Sequence, residues 1–422
     1  MPRVSTPSSF RRLWQPPARY EDRPTDRSVT FLELFFDLVF VVLISQLGRR
    51  LASHPTWGGV GWFVFLFWAV WSSWNNGTLY HDLHGTDDVS ARVFTFGQML
   101  AVAVMAAYVA DVPGPGADGF AWGFAANMLI LVILWFRTGI HDPSHRSGSV
   151  PYSTAHLISA ILFIASTFVA DPAQYWLWAI GLAIQIAGLV IAFHVWTPPE
   201  SQSGDAVLPT TPSLIERYGL FVIIVLGEVI VGAVNGMAQL APLTFHDAAI
   251  GVLGVVVAIG LWWIYFDLIS HREPISRFTQ VWLQLHFPLV VAIGAGGAGV
   301  LSTVEHPSDA LPDAVRWLLV GSLAVALLSI AAISQTLEIR RRVPEIYRPA
   351  EVAIFVSAAL ILAVGLTDWG AKGSLTAMVV LLLAPIVTGL TVWLKHTEPG
   401  GADIEGNVVR GDTVRPEAGG RS

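Results

Sequence analysis

Apolar side chains along this chain gather into runs of roughly twenty residues, each closed by polar residues or by Pro and Gly, the length that carries a helix across a bilayer core of about 30 Å. Twelve runs have this form: 29–50, 57–80, 91–111, 119–139, 153–170, 174–196, 213–236, 246–270, 278–301, 314–338, 350–367 and 373–395. They predict an all-α fold, a polytopic transmembrane helix bundle. The remaining segments are polar. Residues 1–28 carry no apolar core followed by a cleavage site and read as a cytoplasmic tail, not a removable leader. Residues 197–212 read as a cytoplasmic linker. Residues 396–422, rich in Gly, Asp, Glu and Arg, read as a disordered cytoplasmic tail with nothing apolar to bury.

The composition of the 422 residues agrees: 54% are hydrophobic and 13% charged, roughly half the about 25% of an average soluble domain. With no cysteine at all, disulfides, thiolate nucleophiles and Cys-ligated metals are excluded. A net charge of -7, with Arg340, Arg341 and Arg342 as the densest basic run, argues against nucleic acid as a partner. Lys and Arg collect on the cytoplasmic side of membranes, so their placement tests the spans. With the N-terminus inside, the outer side receives Arg49, Arg50, Arg316 and Lys372, which leaves 20 of the 24 bases inside. This asymmetry fits twelve helices with both ends cytoplasmic.

The chain also repeats itself. Thr30-Phe-Leu-Glu33 opens the first run and Ser213-Leu-Ile-Glu216 the seventh, at an offset of 183. Tyr80, Asp82, Leu83 and Arg92 match Tyr265, Asp267, Leu268 and Arg277 at an offset of 185. Six helices per half is an even number, so halves 29–196 and 213–395 would share one orientation, as parallel transporter repeats do.

Ionisable groups at mid-helix in a bilayer cost roughly 2.5 to 3.5 kcal/mol, so each is a candidate site. Glu33 and Glu216 stand three residues after a hydroxyl, the spacing of a capping box. Asp37 lies one turn beyond Glu33 among Phe35, Phe36, Leu38, Val39 and Phe40. It either latches onto an Arg or a helix N-terminus, or faces a hydrated cavity as an ion or proton site. Glu228 lies about 22 Å into its helix at about 1.5 Å per residue, with Gly227 leaving room for close approach. Arg217, three turns away, is the other charge in that helix that could neutralise it. At the offset of 183, Glu228 corresponds to Ser45 and Asp37 to Leu220. Gln98, Gln284 and His286, with Pro288 two residues on, are further intramembrane polar groups able to bind a ligand or relay protons, or simply to bond a neighbouring helix.

Other clusters read more plainly. Tyr80-His-Asp-Leu-His-Gly-Thr-Asp-Asp, with Asp267 and His271, has the residue types of a divalent-metal site without its spacing, and solvated loop histidines are the better account, so no metal is expected. Asp82 with Arg92, and Asp267 with Arg277, could be paired latches bracing short loops. Trp62, Trp68, Trp71, Trp74, Trp262 and Trp263 suit interfacial belts or packing. No P-loop, nucleophile elbow, H-E-x-x-H or dinucleotide fingerprint is present, and no cofactor is expected.

The string VTFLELFFDLVFVVLISQL, with ERYGLFVIIVLGEVIVG, YHDLHGTDD and HFPL, resembles the bacterial low temperature requirement A family over about residues 20–396. The positions matching its motifs are Glu33, Asp37, Glu216, Arg217, Gly227 and Glu228. The resemblance implies a multi-pass protein of the bacterial inner membrane, tied to growth in the cold, and brings no reaction or transported substrate with it. The leading functional expectation is a secondary transporter or ion- or proton-permeable protein, with Asp37 and Glu228 at the interface of the halves. Its partners would be the lipid bilayer and a small solute or proton. A membrane sensor or assembly factor without transport is the alternative, and a lipid-acting intramembrane enzyme the third. The sequence does not fix the oligomeric state. Whether Asp37 and Glu228 line one common cavity discriminates best among these readings.

Overall fold

Side-chain oxygens in front of the apolar runs set several of the helix starts. Thr30, Thr56, Asp88, Thr211 and Thr244 each accept a first-turn backbone amide, supplying a partner to donors that helix geometry leaves unpaired. In the computed structural model, residues 14–19, 27–195, 210–305 and 311–396 are described. The first six long helices are α1 (Phe31–Ser53), α2 (Trp57–His84), α3 (Val89–Tyr108), α4 (Ala117–His141), α5 (Arg146–Ser166) and α6 (Ala173–Val195). They are followed by α7 (Pro212–Gln239), α8 (Phe245–Leu268), α9 (Thr279–Glu305) and α10 (Asp313–Ser334). A four-residue turn, α11 (Ile339–Arg342), precedes α12 (Pro344–Val364) and α13 (Ala371–His396). The expected bundle is therefore present in all its long helices. Most of tail 1–28, linker 197–212 and tail 396–422 lie outside the described residues.

Two starts fall earlier than hydropathy alone places them. α5 begins at Arg146, not 153, and α12 at Pro344, not 350, because their first turns are polar yet still helical. A larger difference concerns α2. Among the described residues, eleven helices are long and apolar enough to cross a membrane, and α2 is not one of them. Its second half carries Ser72, Ser73, Asn75, Asn76, Thr78, His81, Asp82 and His84, all buried. Neighbouring helices cover these groups, so α2 has no need of an apolar surface there. α1 shows the opposite arrangement. Phe36, Phe40, Leu43 and Leu47 are buried while Phe35, Leu38 and Val42 are exposed, one stripe facing protein and the other available to lipid.

α1 packs against α2, α3, α7 and α9, and α7 packs against α8, α9 and α2. Among the first six helices, α1–α3, α3–α4, α4–α5, α5–α6 and α2–α6 are neighbours. Among the last six long helices, the corresponding pairs α7–α9, α9–α10, α10–α12, α12–α13 and α8–α13 are neighbours as well.

Residues 14–19 lie across one end of the bundle, here the proximal end. The Gln15 amide donates to Asp88 at 2.8 Å, the Ala18 amide donates to the His84 carbonyl at 3.2 Å, and Arg137 donates to the Gln15 carbonyl at 2.9 Å. The Arg137 guanidinium also stands 5.4 Å from the Trp14 ring. Although burial pushes the Asp88 carboxyl up, hydrogen bonds from the Gln15 amide, Thr86, Ser90 and the Ala91 amide outweigh it and hold the group down at about 2, against an ordinary 3.8.

A folded-state value below the unfolded one stabilises docking fully above the ordinary value and loses that contribution as pH falls through the folded one. A nitroxide on Pro16→Cys, easily placed in a cysteine-free chain, should stay immobile down to about pH 4 and gain mobility toward about pH 2. In the Asp88→Asn background that acid step should be absent from the resonance spectrum.

Candidate functional site

The capping box at the start of α1 seeds a network of buried charge. Thr30 accepts the Glu33 amide while Glu33 accepts the Thr30 amide at 2.9 Å, as expected from T-x-x-E. Glu33 also takes Arg27 at 2.6 Å and lies 3.6 Å from Arg217 of α7. One turn further on, Asp37 accepts from Arg217 at 2.8 Å and from the Trp74 indole at 2.9 Å. Asp37 and Arg217 are each 1% exposed. Asp37 is thus in the latch geometry, paired across two helices from opposite halves of the chain. One of its oxygens, and the Nε and Nη1 of Arg217, have no hydrogen-bond partner among the described residues.

The polar half of α2 extends the same junction. Tyr218 of α7 donates to Asn75, and Trp74 stacks on Phe221 with ring centroids 4.0 Å apart. Asp82 accepts from Thr211 at 2.5 Å and from Ser213 at 2.6 Å. This corrects two expectations. Asp82 is held by hydroxyls of the other half and not by Arg92, and Ser213 is not the cap of α7. Thr211 fills that role because Pro212, at the first helical position, needs no amide acceptor. Glu216 is half-buried and forms no capping box. The expected Asp267–Arg277 latch is likewise not formed. Arg277 lies 4.7 Å from the Phe278 ring, and Asp267 borders a lateral cavity with Arg272, Trp262 and Trp263.

Glu228 occupies a different place. It lines a cavity of about 200 Å³ between α1, α7 and α9, together with Ser45, Arg49, Asn235, Gln239 and Glu305. Gly297 permits the close crossing of α7 and α9 beside it, since a Cβ there would sit 3.3 Å from the Val229 backbone. Gly227 has no such role, with nothing within 4 Å of an added Cβ. Ser45, the residue at the 183 offset from Glu228, faces the same space. Asp37 is not in this lining, so the two carboxylates do not share a cavity.

Gln98 is fully buried, its amide facing Gly77 and His81 of α2. His286 is fully buried too, and is satisfied by the Trp282 carbonyl at 2.8 Å and the Tyr265 hydroxyl at 3.1 Å. Its role is that of a helix-packing histidine. Gln284 is half-buried. His81 and His84, expected to be solvated, are buried, because residues 14–19 and α4 close over that end of α2.

The model of the bacterial low temperature requirement A protein (LtrA) family matches residues 28–384. The chain belongs to this family. A protein of Rhizobium meliloti (strain 1021), described as uncharacterized, is 27% identical over 304 residues, covering 67% of this chain and 71% of the relative. No solved structure matches the chain. It is thus a bacterial membrane protein of the LtrA family, and its helices meet lipid.

All the cavity residues, the Asp37–Arg217 pair and the Asp82 contacts fall inside the LtrA match. Asn75, Tyr218 and Glu305 were not singled out from the sequence, and Trp74 and Arg49 were read there only as a packing or interfacial ring and as an outer-side base. For Trp74 and Asn75 a signal was available, since a helix with S-S-W-N-N at its middle has to be surrounded by protein. Removing one member of a buried ion pair leaves the other charge uncompensated, at about 3–5 kcal/mol. Arg217→Gln and Asp37→Asn should therefore each lower the melting temperature in detergent sharply. The double variant should be more stable than the sum of the two losses predicts, and thermal unfolding monitored by circular dichroism checks the cycle.

Proposed function

We propose that this LtrA protein is a secondary transporter or ion- or proton-permeable protein of the bacterial inner membrane, with Glu228 as the responsive carboxylate. The observation that carries this reading is the cavity around Glu228, Arg49 and Glu305, which sits on the far side of the α1–α7 junction from the buried Asp37–Arg217 pair. On the basis of the Lys and Arg asymmetry, both termini are cytoplasmic and the cavity faces outward. Its volume of about 200 Å³ is well over ten times the roughly 10–15 Å³ a single water needs, so a solvated ion or a small polar solute fits. Aromatic rings and the Asp37–Arg217–Glu33 network fill the space on the cytoplasmic side. This resembles an outward-open state with its inner gate shut.

The corresponding neighbour lists of α1–α6 and of α7–α10, α12 and α13 support two parallel six-helix repeats, 29–196 and 213–395. Transporters of that design place their site where the repeats meet, and α1 and α7 are the first helices of each. Asp37 is the gate in this scheme and Glu228 the binding group.

In sealed proteoliposomes, proton or cation flux read by an internal dye should fall about tenfold or more in Glu228→Gln, whose loss of a titratable group leaves the fold intact. Arg49→Gln should change the concentration dependence. If no gradient of proton, cation or small solute moves anything, and cold growth follows lipid composition alone, the sensor reading replaces this one.

A further inference from the structure

A third cluster lies at the proximal end, one turn of α2 beyond His81 and outside the lining of the Glu228 cavity. His84, Asp142 and His145 each offer a ligand atom within 4.8 Å of the other two. All three are at most 2% exposed. They come from separate elements. His84 ends α2, whereas Asp142 caps the 3-10 turn Pro143–His145 that joins α4 to α5. The cap fixes the carboxylate, whose Oδ1 accepts the Ser144 amide at 3.1 Å, the Ser144 hydroxyl at 2.5 Å and the His145 amide at 3.4 Å.

The two imidazoles are arranged as ligands are. His84 Nδ1 is 2.8 Å from the Ala18 carbonyl, which can only accept, so the proton sits on Nδ1 and the lone pair on Nε2. His84 Nε2 stands 3.2 Å from His145 Nδ1, with the ring planes at 76°. Two nitrogens bound to zinc at about 2.0–2.1 Å and at the tetrahedral angle are about 3.3–3.4 Å apart. Trp135 packs against both imidazoles and Tyr80 against His84, an apolar shell of the kind that limits solvent access to a metal site.

We propose that His84, Asp142 and His145 bind one divalent transition-metal ion of the zinc type. Two imidazole nitrogens and one carboxylate oxygen suit such borderline ions, while calcium and magnesium prefer oxygen alone. Three protein ligands leave a fourth tetrahedral position for water or another group. The ion clamps the end of α2 to the α4–α5 connection and, through the Ala18 contact on His84, to residues 14–19. This clamp holds whether or not the protein moves a solute.

The test uses the full chain in detergent, purified without a histidine tag and stripped with a chelator. Calorimetry with Zn²⁺ should give one site per chain, and Zn²⁺ should raise the melting temperature. Co²⁺ should give the intense visible bands of a tetrahedral site. His145→Ala and Asp142→Asn should each weaken Zn²⁺ binding by about 100-fold, whereas exposed His54→Ala should leave it unchanged. If the wild-type chain binds neither ion stoichiometrically, or gives the weak spectrum of octahedral Co²⁺, the cluster is a plain His–His hydrogen bond and the proposal fails. That wild-type arm decides the matter even if the ligand variants do not fold. Undiminished binding in folded ligand variants overturns it equally.

Discussion

The ion pair between Asp37 and Arg217 is the constraint around which the centre of this molecule is organised. Two charges taken out of water lose solvation that only close mutual contact and further hydrogen bonds offset. Here Asp37 reaches from α1 to α7, and Trp74 of α2 adds a hydrogen bond to the same carboxylate oxygen. Three helices are thereby fixed in register by one oxygen atom. The aromatic packing follows from that register. Trp74 lies flat on Phe221, and Tyr218 stands edge-on to both Trp71 and Trp74. A shift of α7 by one turn would separate Arg217 from Asp37 and pull Phe221 off Trp74 together.

The same logic accounts for the polar character of α2. Hydrocarbon offers no partner for an amide or hydroxyl, so a helix carrying two asparagines and two serines is stable only where other helices surround it. Asn76 donates to the Ser72 carbonyl at 2.8 Å, Ser72 donates to Gln185 of α6, and Gln185 donates to Ser159 of α5 at 2.8 Å. This chain of bonds ties α2 to the outer helices of the first half while Asn75 and Asp82 tie it to α7. The buried polar groups thus distribute α2 between the two halves and leave the apolar helices to meet lipid.

Much of this architecture was legible in the sequence, because run length and punctuation depend only on local hydropathy. The box formed by Thr30 and Glu33 was legible for the same reason, all its atoms lying within one turn. The partner of Asp37 was not, since Arg217 is 180 residues distant in the chain and no local rule pairs them. Ser213 misled because a capping pattern is also satisfied by a neighbouring Thr-Pro, and the proline takes precedence by removing an amide. The histidines of the Y-H-D-L-H segment misled for another reason. Loop position suggested solvent, whereas a polar tail folds back over them through bonds that hydropathy does not encode.

The placement of chemistry within the bundle is one-sided, and that bears on how such a protein could move. Asp37, Asn75 and Asp82 of the first half all address α7, through Arg217, Tyr218, Thr211 and Ser213. The residues at the sequence offsets of 183 and 185 do not repeat the pattern, as the one matching Asp37 is Leu220 and the one matching Asp82, Asp267, lines a separate cavity with Arg272. In two repeats that rock about their interface, a symmetric set of contacts would leave both end states balanced. Under the proposed scheme, polar contacts gathered on the proximal part of α7 would favour closure of that end, since each buried group exposed by opening would need water or a ligand to replace its partner. In the proposed transport scheme, opening would call for a compensating event at the cavity, and Glu228, on the same helix as Arg217 and about three turns along, would be the group to couple the two.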